Sequence, residues 1–252
     1  MIITDTDFPD ETIELLAGME SIAVLTGAGI SAESGVATFR DKDGLWSRFN
    51  PAELASMDGF LANPQLVWDW YQYRRGIIDS VQPNPGHRAL AEMENLFAHF
   101  TLSTQNVDRL HQAAGSRKVL ELHGNIIDNF CVDCRKTFEF PTGDIEAIPH
   151  CDCGGLIRPS VVWFGEMLPE DVLRASDMAA RQAQVYFSIG TSAEVFPAAQ
   201  LPLIAQNHGA VLVEINPHET QLSSVADYSL RMPAGQALPA LVERIKQVRA
   251  AQ

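Results

Sequence analysis

Four cysteines fall in one short stretch, Cys131 and Cys134 as C-x-x-C, then Cys151 and Cys153 as C-x-C. Two thiolate pairs on opposed turns can close a tetrahedral zinc site at about 2.3 Å per bond. Gly154 and Gly155, directly behind the second pair, can supply its turn. Four protein ligands leave no open coordination position, so such a metal is structural rather than catalytic. Disulfide scaffolds spread their cysteines through much shorter secreted chains, so here the cluster reads as a metal site in a reducing compartment.

A second constellation begins at Gly27. The apolar run SIAVLT leads straight into Gly27-Ala28-Gly29-Ile30-Ser31-Ala32, which fits G-x-G-x-x-[GA]. Glycines there permit a tight turn and close approach of backbone to a pyrophosphate at a helix N-terminus. A dehydrogenase would continue with an apolar helix, then a strand ending in Asp or Glu about 20 residues on. Residues 33 to 46 instead form a polar, Gly-punctuated loop in which Phe39 and Arg40 can cover a nucleotide and hold its phosphate. Some use of a dinucleotide other than hydride transfer is the better fit.

Further polar groups follow other strand-like runs. HFTLST ends in Gln105-Asn106-Val107-Asp108, and VLEL ends in His123-Gly124-Asn125. VYFSI ends in Gly190-Thr191-Ser192, and AVLVEI ends in Asn216. In an open parallel sheet such positions face the ligand crevice. His123 is the natural general base, because its ordinary pKa lies near neutrality. Gly190, Thr191, Ser192 and Asn216 suit phosphate and ribose, although each also suits a helix N-cap.

These residues must be positioned by the elements between them. Ser21–Thr26, Phe100–Thr104, Val119–Leu122, Val185–Ile189 and Ala210–Ile215 read as strands. Helical patterns cover Glu11–Met19, His87–Phe97, Glu170–Gln184 and Leu238–Val248. The alternation predicts an α/β fold, a Rossmann-like parallel sheet with helices on both faces. Residues 1–43, 86–125 and 160–252 would form it. Residues 44–85, with three of the four tryptophans, and 126–159, with all the cysteines, would form a small helical and zinc-binding module beside it. In the helix over Leu66–Ile78, Leu66, Trp70, Tyr73 and Ile77 share the stripe expected to be core. Tyr71 and Arg74 fall on a second stripe with Val67 and Ile78, and could bind a carboxylate together. On pattern alone that second stripe is the solvent face, with Arg74 at its surface.

Composition narrows the function classes. With 252 residues, 46% hydrophobic and 20% charged, the chain is neither disordered nor fibrous. No run approaches the roughly 18 apolar residues of a membrane span. MIITDTDFPDE lacks the order of a secretory signal, so the cytoplasm is the expected location. A net charge of −14 argues against nucleic acid or anionic membrane as a partner held by bulk electrostatics.

Taken together, the ordered motifs GAGISAESGVATFRDKDGLW, TQNVDRLH, LHGN, two Cys pairs, VVWFGE, GTS and EIN resemble the sirtuin family over about residues 20 to 236. The resemblance implies NAD-dependent removal of acyl groups from protein lysines, with transfer to ADP-ribose and release of nicotinamide. It casts His123 as the catalytic base beside Gln105 and Asn106. Gly27, Ala28, Gly29, Ile30, Phe39, Arg40 and Trp46 would belong to the NAD loop. Gln105, Asn106, Val107 and Asp108 would surround the nicotinamide riboside. Gly190, Thr191, Ser192, Asn216 and Ala234 would hold the adenosine half. Val162, Trp163, Phe164 and Gly165 would pair with an acyl-lysine peptide as an added strand. Tyr71-x-x-Arg74 resembles the pair of the class that removes succinyl or malonyl groups, and bacterial members of that class also resemble deacetylases. Two rivals use the same residues: an NAD glycohydrolase or ADP-ribosyltransferase of sirtuin shape, and a non-catalytic zinc interaction module. A plain hydrolase has no need of the VVWFG strand, and a zinc module would leave the polar strand ends unexplained.

Overall fold

The computed structural model describes residues 1–6, 8–38, 45, 49–139 and 147–251. The chain begins with β1 (Ile2–Ile3), α1 (Asp10–Ala17), β2 (Ser21–Thr26) and the single-turn α2 (Gly29–Ala32). Three helices follow, α3 (Pro51–Leu54), α4 (Met57–Ala62) and the long α5 (Pro64–Ser80), then α6 (Pro85–Met93). Next come β3 (His99–Thr104), α7 (Leu110–Ala113), β4 (Val119–Glu121), β5 (Gly124–Cys131), β6 (Thr137–Glu139) and β7 (Ile157–Val161). The last part runs α8 (Glu170–Gln182), β8 (Val185–Ile189), α9 (Leu201–Asn207), β9 (Val211–Ile215), β10 (Tyr228–Leu230) and α10 (Ala234–Ala250).

Among the described residues the main sheet has the order β1-β10-β9-β8-β2-β3-β4, and each pairing is parallel. Its central strands are apolar on both faces. All of β8 is buried, as is all of β2 after Ser21, which a parallel sheet covered by helices on both sides requires. On one face Ile13, Leu16, Leu90, Met93, Leu241 and Ile245 of α1, α6 and α10 pack against Ile22, Val24, Leu102 and Val213. On the other, Ala180, Leu201 and Ala205 of α8 and α9 meet Leu25, Tyr186 and Leu212. Each fully buried Leu or Ile contributes about 1.5–3 kcal/mol. The start of α6 is set locally: Asn84 Oδ1 accepts from Gly86 N at 2.9 Å, and Pro85 takes the first helical position.

Successive strands move away from β2 in opposite directions, through β3 and β4 on one side and β8, β9 and β10 on the other. The loops after β2 and β8 therefore diverge and leave a crevice at their carboxyl ends, where open α/β sheets bind ligands. Beside it stands an antiparallel sheet, β6-β5-β7. Phe60, Val67, Tyr71 and Ile78 pack there with Ile126, Val161 and Trp163.

The predicted strands coincide with β2, β3, β4, β8 and β9 to within one residue at each end. β1 and β10, two and three residues long, are too short to leave a periodic signal. Of the stripe expected to be core on α5, Trp70 is buried and Ile77 half-buried, but the rest is corrected. Leu66 and Tyr73 are exposed, whereas Val67, Trp70, Tyr71, Arg74, Arg75 and Ile78 are buried. The helix packs against β5, Phe60 and Trp163, so contact with that surface, rather than the count of apolar residues, sets which side turns inward. No described helix is long and apolar enough to cross a membrane.

Candidate active site

The loops after β2 and β8 touch backbone to backbone. Gly27 N donates to Ile189 O at 2.9 Å, and Gly29 N donates to Gly190 O at 2.8 Å. A Cβ on Gly27 would lie 2.7 Å from Gly190 O, and one on Gly29 would lie 2.7 Å from Gly190 Cα. Only residues without side chains allow this approach. A cavity of about 720 Å³ opens beside the two loops, and Gly27, Ala28, Gly29, Gly190, Thr191 and Ser192 line it. Cofactor and small-molecule sites commonly measure about 300–1,000 Å³.

A buried polar network holds the near wall. Thr26 Oγ1 donates to Thr104 Oγ1 at 2.8 Å, and Thr104 Oγ1 also accepts from Asn106 N at 3.0 Å. The Asn106 amide donates to Gly27 O at 3.1 Å and to Ser31 Oγ at 3.2 Å. Ser31 donates in turn to Asp108 Oδ2 at 2.7 Å, and Asp108 Oδ1 accepts from Leu110 N at 2.9 Å. Asn106 is thereby locked to the Gly27 loop. Asp108 stands behind it and does not line the cavity. Burial pushes its carboxyl up, against these hydrogen bonds and the nearby Arg74 charge. Gln105, which does line the cavity, donates from Nε2 to Thr191 Oγ1 at 3.0 Å and ties β3 to the β8 loop.

His123 follows β4 and faces the cavity. Its Nδ1 lies 3.0 Å from Gln105 O. A carbonyl can only accept, so Nδ1 carries the proton and the neutral ring keeps Nε2 as a free base. Burial holds its pKa below the ordinary histidine value, although the Gln105 hydrogen bond opposes the shift. At neutral pH the ring is therefore ready to accept a proton.

The far wall comes from α5 and the segment after β7. Tyr71 and Arg74 both line the cavity and are both buried. The surface placement of Arg74 expected from helical pattern is thus overturned: its guanidinium carbon sits 4.9 Å from the Trp70 ring centroid. Val162, Trp163, Phe164 and Gly165 line the same wall. Val162 N donates to His123 O at 2.9 Å, Phe164 N to Ala55 O at 2.9 Å and Trp163 N to Glu166 Oε2 at 2.8 Å. With those three amides engaged, an added strand would have to use carbonyls and Gly165 rather than these N–H groups.

Asn216 lines the cavity and donates from Nδ2 to Thr191 O at 3.2 Å. Val107 lines it as well. Ile30 and Ala234 do not; they are buried beneath the loop and in the core, and Pro233 lines the cavity beside Ala234. Phe39, Arg40 and Trp46 lie outside the described residues. Pattern reading missed Glu33, Leu168, Val195, Phe196 and the Pro217–Gln221 loop, all on the wall. Phe196, just past Gly190-Thr191-Ser192, lines the cavity while remaining 65% exposed.

Comparison with known proteins decides the family. The Sir2 family model matches residues 27–197, from the first glycine loop to just past the second. The NAD-dependent protein deacylase of Aquifex aeolicus is 49% identical over 229 residues, covering 90% of this chain and 96% of that one. The chain belongs to the Sir2 family. A solved Sir2 homologue mutant with ADP-ribose superimposes with a TM-score of 0.94 at 45% identity, covering 97% of this chain and 99% of the other. A Sir2 mutant holding a deacetylated p53 peptide and 3′-O-acetyl-ADP-ribose gives 0.81 at 34% identity, covering 94% and 97%.

In this Sir2-family chain the four cysteine sulfurs lie within 4.8 Å of one another. Cys131 Sγ is 3.5 Å from Cys153 Sγ, and Cys134 Sγ is 3.5 Å from Cys151 Sγ. A tetrahedron with Zn–S bonds of about 2.3 Å has edges of about 3.8 Å, so the set fits one zinc ion. The C-x-C pair closes as well as the C-x-x-C pair, because Gly155 leaves room: a Cβ there would lie 2.7 Å from Cys131 Sγ. None of the four lines the cavity, consistent with a structural metal.

Proposed function

We propose that this protein is an NAD-dependent protein-lysine deacylase that moves the acyl group to ADP-ribose, with His123 as general base. The arrangement of His123 carries the reading: an uncharged imidazole, proton on Nδ1, free Nε2 at a cavity whose other walls suit a dinucleotide and a peptide. NAD supplies an electrophilic ribose carbon once nicotinamide departs. The acyl-lysine amide oxygen would bond to that carbon as nicotinamide leaves. Nε2 of His123 would then take the proton of a ribose hydroxyl as its oxygen attacks the acyl carbon, and the lysine amine would depart as the acyl group passes to ADP-ribose. Gln105 and Asn106 hold the nicotinamide end. The Gly27-Ala28-Gly29 turn gives the phosphates close approach to backbone, with Ile30 buried beneath it and with Phe39, Arg40 and Trp46 joining it. Val107 faces the riboside with Asp108 behind it, and Gly190, Thr191, Ser192 and Asn216 take the adenosine half, with Ala234 buried next to Pro233 on that wall. The peptide runs along Val162–Gly165. This reading keeps the division into a Rossmann-like part and a smaller helical and zinc part, and places the protein in the cytoplasm.

Within this activity we read acidic acyl groups, succinyl and malonyl, as substrates alongside acetyl. A cation at the cavity wall three residues from a phenol on the same helix supports it. The test measures nicotinamide release on acetyl-, succinyl- and malonyl-lysine versions of one peptide, with and without NAD. Removing one partner of a buried charge pair costs about 2–5 kcal/mol. Arg74→Met should therefore lower desuccinylation by at least roughly 30-fold relative to deacetylation. Equal losses on both substrates would show that Arg74 does not read the acid, and nicotinamide release independent of acyl-lysine would overturn the deacylase reading.

A further inference from the structure

Trp163 does more than line the wall. Its indole Nε1 donates to the Tyr71 hydroxyl at 2.8 Å, and both side chains are buried. The indole N–H can only donate, so the phenol oxygen must accept. Among the described residues this is the one hydrogen bond made by that hydroxyl. A phenolic O–H prefers the plane of its ring, with its proton on one side of the oxygen or the other. With the indole on one side, the Tyr71 proton turns to the opposite side. Burial raises the Tyr71 pKa, so that proton stays bound.

The indole is itself fixed from several directions. Arg158, 1% exposed, stacks on its ring with the guanidinium carbon 3.2 Å from the centroid. Glu166 holds Arg158 Nη1 at 2.5 Å and accepts from Trp163 N at 2.8 Å. Phe60 closes a further side, its ring centroid 5.2 Å away. Little rotational freedom is left.

We propose that Trp163 is a specificity-determining positioning residue: its indole N–H orients the Tyr71 hydroxyl as a donor toward an acyl carboxylate held by Arg74. The proposal rests on the acidic-acyl reading of Tyr71 and Arg74 and gives the indole N–H on that wall a role that a phenyl ring cannot fill. With phenylalanine at 163 the shape is largely kept, but the Tyr71 hydroxyl loses the partner that aims it.

The test compares kcat/KM on succinyl-lysine and acetyl-lysine forms of one peptide for wild type, Trp163→Phe, Tyr71→Phe, the double variant and Arg74→Met. Hydrogen bonds to charged groups are worth roughly 10- to 150-fold, and misaiming one forfeits only part of that. Trp163→Phe should lower the succinyl-to-acetyl ratio by roughly tenfold, chiefly through KM for the succinyl peptide. On the Tyr71→Phe background the same change should leave the ratio within about twofold, because the hydroxyl it acts through is gone. Two results overturn the proposal while the acid-reading wall stands: Arg74→Met depresses the ratio but Trp163→Phe does not, or Trp163→Phe depresses it equally with and without the Tyr71 hydroxyl. If Arg74→Met leaves the ratio unchanged, the acidic-acyl reading fails and this inference falls with it. Should Trp163→Phe not fold, replacing Trp163 with 3-benzothienylalanine, which exchanges N–H for sulfur in a ring of the same shape, gives the same comparison.

Discussion

Replacing Gly190 with alanine tests whether contact between two loops builds the dinucleotide cradle. Gly190 has φ +59°, and a Cβ there would press on Ile30 N and lie 2.8 Å from Gly29 C. The left-handed backbone costs a non-glycine residue about 1–2 kcal/mol. Forcing a methyl into filled space adds about 1–3 kcal/mol, because rigid backbone must give way. The sum, about 2–5 kcal/mol, lowers Tm by on the order of 5–15 °C for a chain of this size. Gly209 provides the control: its φ is +91°, but a Cβ there meets nothing within 4 Å, so Gly209→Ala carries only the backbone cost. Thermal melts of both variants, with the KM for NAD at saturating peptide, separate the two contributions. Gly190→Ala should melt well below Gly209→Ala and raise the KM for NAD, since the Gly27–Ile30 backbone is displaced. Equal melting temperatures with an unchanged KM for NAD would refute the idea that the loop contact shapes the cradle.

Other consequences follow from the same geometry. His123→Ala should lower deacylation by roughly 10²–10⁴-fold with the fold intact by circular dichroism; near-normal turnover would remove the general base. Because burial depresses the His123 pKa, the acid limb of kcat/KM against pH should lie below about 6.5, and a limb above 7 would contradict the buried, Nδ1-protonated ring. Cys134→Ser should release stoichiometric zinc by metal analysis and lower Tm while the other three cysteines remain; full metal retention would argue against four-sulfur ligation. His87 is held at about 4 by burial, with the Arg88 charge adding to the shift. The unfolded chain protonates this residue near 6.5, so between pH 6.5 and 4 the unfolded state binds the proton and the folded state does not. Stability should fall with acidification across that window by up to about 3 kcal/mol from this residue, and a Tm flat from pH 7 to 5 would exclude it.

Much of the site was legible because its residues follow strands. β2, β3, β4, β8 and β9 carry unmistakable apolar runs, and groups just past them must gather at one edge of a parallel sheet. Gly27, Gln105, His123, Gly190 and Asn216 follow that rule and meet at one cavity. Arg74 was not legible in the same way. Helical periodicity places Tyr71 and Arg74 on a shared stripe but says nothing about which stripe turns inward, and hydrophobicity favours Leu66 and Tyr73, which the fold leaves exposed. Asp108 was placed with its neighbours, yet its side chain points behind the wall to Ser31, a choice made by hydrogen bonding rather than chain order.

Residue order alone therefore specified the alternating α/β architecture, the glycine loops, the histidine after a strand and the cysteine quartet, because each depends on local pattern or on spacing of a few residues. Tertiary structure decided the orientation of α5, the Nδ1-protonated state of His123 and the indole–phenol contact. These depend on which surfaces meet across long separations in sequence. The Trp163–Tyr71 pair, 92 residues apart, exists only because α5 and the segment after β7 are pressed onto the same side of the crevice.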